Sequence, residues 1–122
     1  MNLVRNKLDG KEYALKSINL LFLSDKDKKS AENEVQFLRV LQGPTLIKFV
    51  ESFIENSIIY IVMEYADGGS LAQKIQNYIS QGKTFSTEEI LRYIAQITLG
   101  VMAMHSKNIL HRDIKTQNIF IT

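Results

Sequence analysis

The stretch His111-Arg112-Asp113-Ile114-Lys115-Thr116-Gln117-Asn118 holds residue types and spacings that could do chemistry. A carboxylate can orient a hydroxyl and accept its proton, and Asp113 supplies one. A carboxamide oxygen is a hard donor suited to magnesium, and Asn118 supplies it. Lys115, two residues after the carboxylate, puts a cation where a transferred group becomes more negative. These are the parts that phosphoryl transfer to a hydroxyl requires. Thr116 and Gln117 set the spacing. The competing reading is a polar surface loop between the apolar segments Ile109-Leu110 and Ile119-Phe120-Ile121, since Asp and Asn are common turn formers.

The elements that would position this stretch can be read from the periodicity of the rest. Met1 to Asn6 has strand character, and Asp9-Gly10 is a strong hairpin signal before an alternating strand from Glu12 to Asn19. Alternation puts Lys16 on one face with Ala14 and Ile18. A lysine on a mostly apolar face needs a partner, or else snorkels to water at a sheet edge. Ser24-Asp25 can cap a helix over Lys26–Gln42, with Gly43 and Pro44 beyond it. Its apolar stripe is Ala31, Val35, Leu38 and Leu41, and Glu34 falls on the stripe's side. Lys16 is the natural cation for that acid; the other reading of Glu34 is a solvated flank position.

Lys48 to Glu55 and Ser57 to Tyr65 read as an antiparallel hairpin turning at Glu55-Asn56-Ser57. Ala66-Asp67-Gly68-Gly69 then breaks the pattern as a flexible connection, dividing a strand-rich half from a helical half. A short amphipathic helix follows over Ser70–Gln81, carrying Leu71, Ile75, Tyr78 and Ile79. Ser86-Thr87-Glu88-Glu89 is a capping box for a longer helix with the stripe Ile90, Leu91, Ile94, Ile97, Thr98, Val101 and Met104. His105 completes its last turn, and Ile119 to Thr122 begins a strand.

Composition bounds the class. The 122 residues are 45% hydrophobic and 23% charged, an ordinary globular balance. A net charge of +2 is too small to argue for nucleic acid or an anionic membrane surface. With no cysteine there is neither a disulfide framework nor a thiolate metal site, which fits a reducing compartment. No apolar run approaches the length of a membrane span and no secretory signal opens the chain. These features predict a cytoplasmic or nuclear protein without membrane insertion.

Lys16 in Tyr13-Ala14-Leu15-Lys16, then Glu34, the hairpin, the Gly-Gly connection and the His111–Asn118 loop arrive in an order that resembles the eukaryotic protein-kinase domain. Lys115 after His-Arg-Asp resembles the serine/threonine branch. Thr116 and Phe120, within Ile109–Phe120, resemble the NIMA-related kinases. The implied fold is α+β and bilobal, truncated: an antiparallel sheet plus one helix over 1–65, a hinge at 66–69, and the mainly helical start of a second lobe over 70–122. The implied cofactors are ATP and Mg2+, and the implied partner is a protein substrate with a Ser/Thr hydroxyl. Lys16 would hold the α- and β-phosphates, with Glu34 holding Lys16. Ala14 would roof the adenine and Phe120 lie beneath it. Met63 would stand at the back of the pocket, and the Glu64 carbonyl and Ala66 amide would pair with the adenine edge. Ser70 takes the place of a common acid near the ribose. Asp113 would be the base, Lys115 the phosphate clamp and Asn118 a metal ligand. Arg112 would bind a phosphorylated activation loop.

No G-x-G-x-x-G precedes Lys16 and no D-F-G follows Asn118 within these residues. A fragment that is inactive alone is therefore expected, with the apolar stripe after Thr87 exposed and prone to aggregation. The alternative is a short, inactive kinase-like binding or scaffold module. Family resemblance also implies centrosomal or ciliary, hence cytoskeletal, locations.

Overall fold

The computed structural model describes residues 1–122, which form two compact units, Met1–Tyr65 and Ala66–Thr122. The first unit is a four-stranded antiparallel sheet with one helix. Its strands are β1 (Asn2–Arg5), β2 (Glu12–Asn19), β3 (Phe49–Glu55) and β4 (Ile58–Glu64), in the spatial order β1-β2-β4-β3. The most apolar strand, β4, is central, as a strand flanked on both edges should be. The β3–β4 hairpin closes Glu55 against Ile58 through Asn56 and Ser57, both left-handed at φ 50° and 62°. Two left-handed residues in a tight turn give the twist a hairpin needs.

Helix α1 (Asp25–Val40) is capped by Ser24, whose hydroxyl accepts from the Asp27 amide at 3.2 Å. Ala31 and Val35 are buried against Ile59, Ile61 and Met63, with Leu38, Ile18 and Phe49 packed around them. The expected helix to Gln42 stops short: Leu41 is an extended cap and lies outside the stripe. Its amide still bonds the Phe37 carbonyl at 2.9 Å, which closes the last turn two residues before Gly43.

The second unit contains α2 (Leu71–Ser80), α3 (Thr87–His105) and a single 3-10 turn at Thr116–Asn118. α2 ends on Gly82 at φ 62°, with Gly82 N–H bonded to the Ile79 carbonyl and Lys83 N–H to that of Tyr78. This paired arrangement satisfies two terminal carbonyls and needs a left-handed residue. α3 starts on the expected box, with the Ser86 hydroxyl accepting from Glu89 N–H and the Glu89 carboxylate from Ser86 N–H.

The long helix covers the later part of the expected stripe and leaves its first turns exposed, as expected of the stripe after Thr87. Glu89, Tyr93, Ile97, Gly100, Val101 and Met104 are covered, whereas Ile90, Leu91 and Ile94 lie on the surface. The reason is a polar and aromatic cluster between α2 and α3. Lys74 donates to the Tyr93 hydroxyl at 2.8 Å, and Tyr78 donates to Glu89 at 3.0 Å. The Phe85 ring stacks on Tyr78 at 4.4 Å and meets Tyr93 edge-on. The Tyr93 contact holds the Lys74 ammonium above its ordinary range, and the Ser86 amide with the Tyr78 hydroxyl holds the Glu89 carboxyl below its own.

The Gly68-Gly69 segment, expected to be a flexible connection, is tied down. Gly68 N–H bonds the Ile121 carbonyl at 2.7 Å, Ile121 N–H the Gly69 carbonyl at 2.9 Å, and Leu71 N–H the Ile119 carbonyl at 2.8 Å. The expected strand over Ile119–Thr122 is reduced to one bridge, Ser70 to Phe120. A Cβ on Gly68 would sit 2.5 Å from the Ile121 carbonyl oxygen. Backbone cannot yield as a flexible side chain would, so Gly68→Ala should cost about 1–3 kcal/mol. Amide exchange at Ile121 should quicken accordingly; unchanged exchange would show that this pairing does not hold the segment.

Candidate active site

In the first unit, β2 carries Ala14 and Lys16, opposite Met63 and Ile61 of β4. Ala14 and Met63 are buried, and Met63 belongs to the core under α1. The Lys16 ammonium donates to a Glu34 carboxylate oxygen at 2.5 Å. The periodicity had placed both residues on apolar-side positions, and this is the pairing that such positions require. Their side chains remain 37% and 41% exposed, so the pair adds little to stability. Its consequence is geometric, since it holds the lysine amine at one point off the sheet. Glu64 closes β4, its amide bonded to the Lys48 carbonyl and its carboxylate accepting from the Lys48 amide.

In the second unit, Ala66 is buried, and Ser70 caps α2. The Ser70 hydroxyl accepts from Gln73 N–H at 3.2 Å, while the Gln73 side chain accepts from Ser70 N–H at 2.8 Å. That hydroxyl is committed to the helix start. The Ser-x-x-Gln spacing at 70–73 is itself a box signal and would have revealed the cap. Phe120 is half-exposed and bridges to Ser70.

α3 delivers the chain into the loop. Asn108 turns left-handed at φ 59°, and Ile109 N–H bonds back to the Met104 carbonyl. Arg112 is left-handed too, at φ 65°, a conformation rare for a long side chain. The turn is closed by Asp113 N–H, which donates to His111 Nδ1 at 3.2 Å. The structure thereby brings the three loop residues together. Lys115 Nζ lies 3.0 Å from one Asp113 carboxylate oxygen. The Asn118 side-chain amide donates to the other at 2.9 Å and to the Asp113 carbonyl at 3.0 Å. The 3-10 turn makes this possible by folding Asn118 back over five residues, with α2 packed against it.

The Lys115 ammonium, with Asn118, holds the Asp113 carboxyl below the ordinary aspartate range. The group is thus an anion at neutral pH, with Lys115 as its exposed counter-ion. The Asn118 amide nitrogen is spent on Asp113, which leaves its carboxamide oxygen as a hard donor that fits a divalent cation.

Sequence reasoning assigned no partner to Lys74 and no role to Arg39. Lys74 joins the α2–α3 cluster, and Arg39 donates to Ser52 while lying 5.6 Å from the centre of the Phe49 ring. Both depend on contacts between separate elements, which periodicity does not encode.

The family model described as protein kinase domain matches residues 1–122. The serine/threonine-protein kinase Nek1 of Mus musculus is 41% identical over 120 residues, which cover 98% of this chain and 10% of that protein. The probable serine/threonine-protein kinase nek3 of Dictyostelium discoideum is 43% identical, covering 98% of the chain and 11% of that protein. For Nek5 of Mus musculus the identity is 42%, with 98% and 18% covered. The chain thus spans between 10% and 18% of the length of these relatives. No helix is long and apolar enough to cross a membrane. With the whole of its length matched by one family model and its catalytic-loop pattern intact, the chain belongs to the protein kinase domain family, in its NIMA-related serine/threonine branch.

Proposed function

We propose that these residues form the nucleotide-lysine and catalytic-loop parts of an ATP-dependent serine/threonine kinase, which moves the γ-phosphoryl group to a protein hydroxyl. The observation that carries the reading is the Asp113 carboxylate flanked by Lys115 and Asn118 at 3.0 and 2.9 Å. Asp113 orients the attacking hydroxyl and takes its proton as the bond to phosphorus forms. Its depressed pKa suits a transition state in which that proton leaves late. Lys115 trades its contact with Asp113 for the phosphoryl oxygens as their charge grows.

Lys16 holds the α- and β-phosphates, and Glu34 fixes the amine. By family likeness, Ala14, Met63 and the Glu64 carbonyl of the first unit would contact adenine, as would the Ala66 amide and Phe120 of the second. Ser70, spent on its helix, offers the sugar less than a carboxylate would. Asn118 would be one ligand of a magnesium ion, which when bound would offset the phosphate charge. Residues 1–65 are assigned to the first lobe, 66–69 to the hinge and 70–122 to the start of the second. A cytoplasmic, nuclear or cytoskeletal location and a protein substrate follow from the same family reading.

Lys16→Met tests the nucleotide assignment. A charge-assisted hydrogen bond contributes about 1.5–3 kcal/mol, so ATP affinity should fall on the order of 10- to 100-fold. Titration with a fluorescent ATP analogue measures it. Equal affinity in wild type and variant would remove Lys16 from the site. A scaffold module would instead keep its partner binding in the Lys16→Met and Asp113→Asn variants alike.

A further inference from the structure

We propose that Arg39 is a positioning residue for the Lys16–Glu34 pair, acting by locking the end of α1 to the bulged start of β3. The argument begins with register. β3 opposes Phe49 to Met63, Glu51 to Val62 and Ser52 to Ile61, so Val50 is an extra residue. In an unbroken strand, residues three apart point to opposite faces. The bulge cancels that alternation and puts Phe49 and Ser52 on the same face as Met63 and Ile61. That face is the one covered by α1, because Met63 and Ile61 pack with Ala31 and Val35.

Arg39 in the last turn of α1 engages both displaced residues. Its guanidinium donates to the Ser52 hydroxyl at 3.0 Å and lies 5.6 Å from the centre of the Phe49 ring. A planar cation with several donors suits a ring face and a hydroxyl together. The apolar contacts of α1 are few and small, with Ala31 and Val35 its only buried positions. Such a seam resists separation better than sliding or rolling. Arg39 supplies the directional contact that stops the roll, and Glu34 lies little more than one turn away on the same rigid helix. The rotation of α1 that Arg39 sets is therefore the rotation that delivers Glu34 to Lys16.

The inference rests on the proposed role of Lys16 only in calling the pair functional. The geometric claim is tested without nucleotide. The readout is the nitrogen-15 signal of the Lys16 side-chain amine in the 122-residue chain, with Glu34→Gln marking the position of a broken pair. Arg39→Ala should move the signal more than half of the way to the Glu34→Gln position. Arg39→Lys, which keeps a cation and a donor, should restore most of the shift. Ser52→Ala should move it in the same direction by less, and decides the matter should Arg39→Ala not fold. A Lys16 signal unmoved in Ser52→Ala and in folded Arg39→Ala, or moved equally by Arg39→Lys, overturns the proposal. Failure of the nucleotide assignment would appear instead in the Lys16→Met titration, with these shifts intact.

Discussion

Residues 1–122, joined at one end to the glycine-rich loop of a NIMA-related relative and at the other to its D-F-G and later segments, should phosphorylate a protein substrate. The 122-residue polypeptide alone should not. Asp113→Asn in the joined protein should lower turnover by about 10² to 10⁴, the usual contribution of a positioned general base. The asymmetry follows from the parts. Asn118 alone is a poor site for a doubly charged cation, and magnesium is normally held by more oxygen ligands than one. A phosphate tail left uncovered also remains in contact with water. Within the loop, Lys115 and Asn118 hold the Asp113 carboxylate by contacts of their own. A radioactive phosphate-transfer assay decides the matter. Turnover by the short polypeptide that disappears on Asp113→Asn would refute the first half, and an undiminished Asp113→Asn chimera the second. Because Asp113 is held below the ordinary aspartate range, its ionisation should not limit the rate at neutral or mildly acidic pH.

Ile61→Ala should be the most damaging single truncation in the first unit. Ile61 is fully buried at 0% exposure and stands on the central strand between Lys16 and Ser52. Removing a buried isoleucine to alanine costs about 2–5 kcal/mol, through lost transfer energy and the cavity left behind. Small domains hold only about 5–15 kcal/mol in total, so much of the stability of this unit would go. The effect would reach the Lys16–Glu34 pair, because β2 and α1 both lean on the same cluster. Urea unfolding followed by circular dichroism measures the change. Ile54→Ala is the control, since Ile54 is 64% exposed although it lies on the neighbouring strand. Equal shifts for the two variants would mean that the core lies elsewhere.

The candidate site was legible where its chemistry is local. The Asp113–Asn118 spacing lies within one loop, and the two caps at Ser24 and Ser86 are satisfied by amides within three residues. Lys16 and Glu34 were legible for a different reason. Each was a charge at a position that alternation or helical period turned toward the sheet, where a half-covered charge gains from an opposite partner. The covered face of α3 was legible only in part: Ile97, Val101 and Met104 were expected, Glu89 and Tyr93 were not. Its apolar residues surround much of the helix, and the choice among them was made by Lys74, Tyr78 and Phe85 from outside it.

By itself, then, the amino-acid order determined the four sheet strands and three helices, their sequence along the chain, the family and the candidate residues for chemistry. Those depend on side-chain period, on capping within a turn and on residue identity, all of which act over a few positions. Only tertiary structure decided which way the bulge turns Phe49 and Ser52, that Arg39 meets both of them, and that Gly68 lies against Ile121. These are contacts between distant segments. They are chosen by which surfaces fit once the chain has closed on itself, and no local rule contains that fit.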